Sequence, residues 1–262
     1  MKPALVLGLG LLVIGYAAGC GSPPDSAEPA SETSGAATAP AGVTPSGASS
    51  ITGTITYSGQ VPTLPPLSMD AEPLCAELHD GPVPAEMLVL GDGSTMGNVL
   101  LWVSGGLPAG TTWAVPTTPV VLDQKGCLYV PHVMGIMVGQ PYRILNSDGF
   151  LHNIHTLPMV NRSFNRAMPA TLTEVTTTFD QPEPVFDIKC DVHPWMSAYI
   201  GVFTHPFHTV TGTDGAYTIS GLEQGTYEIT AWHERLGMQT ASVTVGASGA
   251  TTQDFSFSVP AR

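Results

Sequence analysis

Apolar and polar residues alternate with a period of two along most of this chain, and almost nowhere with the period of a helix. With β-branched and aromatic residues enriched in the same places, the alternation predicts strands over 51–57 (ITGTITY), 98–105 (NVLLWVSG), 119–123 (PVVLD), 132–138 (HVMGIMV) and 141–146 (PYRILN). Further strands are predicted at HNIHT, TEVTTTF, VFDIKC, AYIGVF, AYTIS, TYEITAW and ASVTV. Asp-Gly pairs beginning at 92, 148 and 214, with Gly221 and Gly225, supply the turns between them. The pattern predicts an all-β protein of β-sandwiches, with no helical segment long enough to shape the fold.

Two stretches depart from the alternation, both near the N-terminus. Residues 4–18 form one apolar run behind a single lysine, too short for a stable membrane span and suited to the core of a signal peptide. Its ending, AAGC, resembles a bacterial lipobox, which implies removal of residues 1–19, a lipid on Cys20 and a folded part outside the cytoplasm, in the periplasm or at the cell surface. Residues 21–50 are small, polar and proline-rich without periodicity, so residues 20–50 are expected to be a flexible tether behind the lipid.

Charge narrows the partners. Lys and Arg total 8 against 21 Asp and Glu, a formal net charge of −13, and no basic stripe is present to displace phosphate counterions, which argues against nucleic acid. The 262 residues allow two domains. No Ser-His-Asp set or paired carboxylate site is visible, so an enzyme is not expected.

The C-terminal pieces TDGAYTISGL and QGTYEITAW resemble the carboxypeptidase regulatory-like family, a transthyretin-like β-sandwich. The family's preceding strands are missing from this region and look like ITGTITYSG and NVLLWV near the start. The resemblance therefore implies a sandwich in two parts, residues 51–115 and 206–262, with a second domain, residues 116–205, inserted into or next to it.

The inserted segment carries MVGQPYRILNSD, a His-Asn pair at His152 and Asn153, and the loop CDVHPWM. These pieces resemble the cupredoxins, Greek-key sandwiches that bind one type 1 copper, and the C-x2-H-x2-M spacing is similar to the short loop of amicyanin. The resemblance implies His152, Cys190, His193 and Met196 as the ligands. Such a set suits copper because thiolate and thioether favour Cu(I), imidazole favours Cu(II), and a trigonal site with a weak axial Met accommodates both. It further implies Asn153 as a clamp to the backbone near Asp191, Pro194 as a residue that removes a donor from the loop, and Trp195 as a shield for the sulfur. Zinc held by His152, His155, Cys190 and His193 is the competing metal site.

With Cys20 given to the lipid and Cys190 to the metal, Cys75 and Cys127 remain to pair as a disulfide. Other candidates receive ordinary roles: His132, Met134 and Met137 as strand and core filling, His155 off the site, and His205, His208 and His233 in interface hydrogen bonds. The function expected is a membrane-anchored electron carrier whose partner is a basic cytochrome or dehydrogenase, with copper or zinc storage and delivery, or surface adhesion and carbohydrate binding, as alternatives. His193 is expected near the surface as the exit route.

Overall fold

The computed structural model describes residues 42–259. Its first strands are β1 (Ser49–Tyr57), β2 (Leu100–Gly105), β3 (Val120–Gln124), β4 (Tyr129–Val130), β5 (Val133–Met137) and β6 (Tyr142–Asn146). The next are β7 (His152–Leu157), β8 (Asn165–Met168), β9 (Glu174–Thr177), β10 (Glu183–Lys189) and β11 (Ser197–Phe203). Six more complete the set: β12 (His208–Val210), β13 (Ala216–Leu222), β14 (Gly225–His233), β15 (Gly237–Val245), β16 (Gly249–Thr252) and β17 (Phe255–Phe257). One short helix, α1 (Pro73–Ala76), lies between β1 and β2. The protein is all-β and forms two sandwiches.

Strand pairing joins the two ends of the chain. One sheet runs β13-β1-β16 with β17 also on β1, and its facing sheet runs β12-β2-β14-β15, so strands from both sides of the middle segment close over one core. That core holds Ile51, Ile55, Leu101, Val103, Ile219 and Ile229 among others. The middle segment makes the second sandwich from sheets β5-β11-β10-β7-β8 and β4-β3-β6-β9. Period-two burial accounts for it: Tyr142, Ile144 and Asn146 of β6 point in and Arg143 and Leu145 are half-buried, while Phe186 and Ile188 of β10 point in and Asp187 and Lys189 point out.

Between the sandwiches lies a small apolar seam of Leu100, Trp102, Val133 and Phe203, with the Trp102 and Phe203 rings 5.5 Å apart. His132 belongs to this seam: its Nε2 lies 2.6 Å from Glu234 Oε1, and Tyr199 donates to Glu234 Oε2 at 3.0 Å. Met134 and Met137 are buried. His205, His208 and His233 make no side-chain hydrogen bond across the seam among the described residues, although His233 Nδ1 accepts the local Arg235 N–H at 3.2 Å. His208 stacks on Phe203 at 4.9 Å, and His205 Nδ1 and His233 Nε2 find no hydrogen-bond partner among the described residues. Aromatic packing, which keeps a neutral imidazole, fills their positions.

Residues 58–89 belong to neither sheet pair. This strap carries α1 and lies chiefly on the second sandwich, where Met69 and Cys75 enter the core and Leu67 and Val83 pack against it, while Leu88 near its end packs against the first. Cys75 and Cys127 form the disulfide that fastens it there.

Candidate metal centre

The site grows from one strand and one loop of the second sandwich. β7 begins at His152, and β10 ends at Lys189 just before Cys190; these strands pair antiparallel, bringing His155 opposite Lys189 and so setting His152 over the start of the loop. The loop closes on itself. Cys190 N–H donates to Met196 O at 3.1 Å, Met196 N–H donates to His193 O at 2.9 Å, and Pro194, at the exposed turn, has no N–H to satisfy. Within that turn His193 N–H donates to Cys190 Sγ at 3.3 Å.

Three donor atoms converge. His152, Cys190 and His193 each bring one ligand atom, all within 4.8 Å of one another, and all three residues are buried. The two Nδ1 atoms face each other at 2.9 Å, and His193 Nδ1 lies 3.8 Å from Cys190 Sγ. Met196 is buried in the same core from the same loop. His155 is not part of the cluster, because successive residues of a strand face opposite ways; its Nδ1 meets Asp191 at 3.0 Å instead.

Asp148 sets the tautomer of His152. Its carboxylate accepts from Gly126 N–H at 2.6 Å and Cys127 N–H at 2.8 Å, and His152 Nε2 lies 2.8 Å from Oδ2. An imidazole that donates from Nε2 keeps a lone pair on Nδ1, the atom turned toward Cys190 and His193. Burial acts to raise the Asp148 pKa, but the bonds from His152 and the two backbone amides outweigh it and hold the carboxyl below its ordinary value. In the sequence, Asp148-Gly149 reads only as a turn. Its position four residues before His152 is the signal available there.

Asn153 Oδ1 accepts the N–H of Asp191, and Asn153 Nδ2 donates to Asn165 Oδ1 at 2.7 Å, so this side chain ties β7 to the loop and to β8. Trp195 packs its ring against the His193 imidazole, centroids 5.2 Å apart and tilted, and its Nε1 donates to Cys127 O at 3.0 Å. Burial would raise the Cys190 thiol pKa, yet His152 and the amides around the sulfur reverse the shift, so the thiol sits below its ordinary value. His193 also sits below its ordinary value, lowered first by burial and then by its neighbour His152.

His193 is also the point where the structure corrects the expected exit at the surface. Only 2% of it is exposed. The strap is the reason: the Sγ atoms of Cys75 and Cys127 lie within 4.8 Å of a His193 ring nitrogen, so the disulfide occupies the edge that would otherwise meet solvent.

The donor set suits a soft or borderline cation. A thiol held toward its thiolate and two imidazoles with converging nitrogens favour copper or zinc over hard cations, and Met196 adds the thioether that copper accepts. The fold and the site together define an all-β protein of two sandwiches, one of which holds a buried His2Cys cluster.

No family model matches the chain, and no curated protein does. Among solved structures it is similar to a Cu-containing nitrite reductase (NirK) from Thermus scotoductus SA-01, at 22% identity and a TM-score of 0.31, over 38% of this chain and 25% of that one. It is similar to a reduced tryptophan-to-tyrosine mutant of amicyanin at 22% identity and a TM-score of 0.30, over 34% of this chain and 85% of that one. A Cu(I) methionine-to-alanine mutant of amicyanin matches at 19% identity and a TM-score of 0.29, over 39% and 97%. The chain thus spans about a quarter of the length of the nitrite reductase.

Proposed function

We propose that this chain is a type 1 copper protein that carries single electrons, with His152, Cys190 and His193 as equatorial ligands and Met196 as the axial one. The observation that supports the reading is the buried convergence of the two Nδ1 atoms on Cys190 Sγ. Bound copper would supply reversible one-electron chemistry between Cu(II) and Cu(I). The residues do the rest. Asp148 holds His152 in the tautomer with a free Nδ1, the Asn153 clamp keeps β7 against the loop, and the closed loop limits how far Cys190 and His193 can separate. In the same reading the chain has no catalytic step of its own, the Cys20 lipid holds it to a membrane outside the cytoplasm, and its first sandwich is the regulatory-like domain. Cys20 lies outside the described residues.

The test is spectroscopic. Protein loaded with Cu(II) is expected to be intensely blue and to bleach reversibly with ascorbate, and Cys190→Ser is expected to remove the band while leaving the β-sheet circular dichroism intact. A pale product from the unaltered chain would overturn the reading and leave metal storage or delivery in its place.

A further inference from the structure

Burying His193 beneath a disulfide moves the outward face of the site onto the strap. Leu74 and Leu78 flank Cys75, the second of them through Leu78 N–H to Cys75 O at 3.2 Å, and they are 57% and 47% exposed. Leu151 and Val192, each one residue from a candidate ligand, are 46% and 37% exposed. Single exposed leucines are common on any surface. These stand apart because they border a chain of close groups: the Cys75–Cys127 sulfurs lie within 4.8 Å of a His193 ring nitrogen, and His193 Nδ1 lies 2.9 Å from His152 Nδ1.

The strap itself carries charge of one sign, with Lys125 as the exposed cation on the chain segment it is bridged to. Residues 58–89 contain Asp70, Glu72, Glu77, Asp80 and Glu86 and neither lysine nor arginine. Asp70, Glu77 and Asp80 are exposed, and Glu77 and Asp80 make no side-chain hydrogen bond or ion pair within the described residues. Carboxylates without internal partners, grouped around an apolar centre, leave their charge free for a partner. Complementary charge sets approach and register, and the apolar centre sets contact.

We propose that the strap is the docking face for a basic one-electron partner, which seats on Leu74 and Leu78 within the carboxylates Asp70, Glu77 and Asp80, with the Cys75–Cys127 bridge connecting that face to His193. The proposal rests on the electron-carrier reading and adds to it where the partner sits. The strap belongs to neither sheet, so the docking face comes from an element that the second sandwich does not itself supply.

Mitochondrial cytochrome c, a basic one-electron carrier, serves as the probe. Isothermal titration at about 0.1 M salt, on metal-free and copper-loaded protein, is compared for the unaltered chain, for Glu77→Lys with Asp80→Lys, and for Glu223→Lys with Glu228→Lys on the first sandwich. Both pairs change net charge equally, and screening over about 10 Å at 0.1 M salt separates a local contact from a general charge effect. The strap pair is expected to weaken binding roughly ten-fold or more, and the distant pair to change it far less. Oxidation of ferrocytochrome c by the Cu(II) protein, one electron lost for one gained, is expected to slow only in the strap pair, while reduction by ascorbate is unchanged. Equal weakening by both pairs, or none from the strap pair, would overturn the docking face. Absence of the blue band would instead overturn the electron-carrier reading, with the metal-free titration still deciding where the probe binds.

Discussion

At the scale of single residues, the cluster depends on a carboxylate that does not itself face the metal position. Asp148 accepts three hydrogen bonds, from two backbone amides and from His152. In Asp148→Asn one of the two oxygens becomes an NH2 group that cannot accept, so either a backbone donor or His152 loses its partner. Partners of this kind are worth about 10–100-fold in metal affinity. Asp148→Asn is therefore expected to bind Cu(II) some 10–100-fold more weakly in a competition titration with a chromophoric chelator. Unchanged affinity would show that Asp148 only shapes the 146–150 turn. His152, Cys190, His193 and Met196 are legible in the sequence because a resemblance attaches chemistry to their order. Asp148 is not, since an Asp before Gly already has an explanation as a turn. Nor is the burial of His193 legible, because the residue that covers it, Cys75, lies far upstream and loop spacing says nothing about what folds over a loop.

Elements are readable in proportion to their alternation. Strands such as β1, β6, β10 and β14 have one face in a core, and their period is plain in the sequence. The pattern does not reveal β4, β12 and β17, which have only two or three residues, or β8 and β16, which are mostly exposed and carry no inward face to alternate. The strap has no period at all, and its placement depends on a covalent bond and a few buried side chains. Its anchors besides the disulfide are Met69, Leu67 and Val83 in the core, the Leu67 N–H to Val83 O bond at 2.8 Å, and His79 Nε2 to Gly126 O at 2.8 Å. A bridge across a sequence separation of 52 restricts the unfolded chain by about 4 kcal/mol in the loop-entropy model, of which about 2–4 kcal/mol is typically measured. Cys75→Ser with Cys127→Ser is expected to lower unfolding stability by that amount in urea titration. It is also expected to raise solvent exchange at the strap, while the β-sheet spectrum is kept. A variant with unchanged stability and exchange would mean that the buried side chains alone hold the strap.

At the scale of the whole molecule, the seam between the sandwiches and the nearby hairpin of the first sandwich set an asymmetric response to pH. His205, His208 and His233 are each lowered to about 4, in every case first by burial. Unfolded, each returns to about 6.5, so between about pH 6.5 and 4 the unfolded chain binds the extra protons and stability is lost as pH falls. Each group contributes at most about 3.5 kcal/mol, because every tenfold loss of proton affinity on folding corresponds to about 1.4 kcal/mol. His132 has the opposite sign. Burial lowers its pKa, but Glu234 and Glu86 outweigh burial and raise it above its ordinary value, so its contribution is complete below about pH 6.5 and fades as pH rises through the folded value. Glu234 is held low against burial by His132 and Tyr199, and its share fades only as pH falls below the usual carboxylate range. Glu86 and Asp187, raised chiefly by burial, take up protons in the folded state and trim the acid slope. His193 adds to the acid-side loss, and His152, which Asp148 and Cys190 raise against burial, opposes it, so four imidazoles losing stability on the acid side outweigh two gaining it. Urea unfolding of the metal-free protein is therefore expected to weaken steadily from about pH 6.5 to 4, with a slope below about four protons, and to weaken slightly above neutrality. His205→Leu, which removes a buried nitrogen without a partner, is expected to cut the acid slope by about one proton. Glu234→Gln is expected to reduce the weakening above neutrality, leaving the share of His152, and to lower stability near pH 6. A flat profile between pH 6.5 and 4 would mean that the seam opens to water and lets these histidines charge in the folded state.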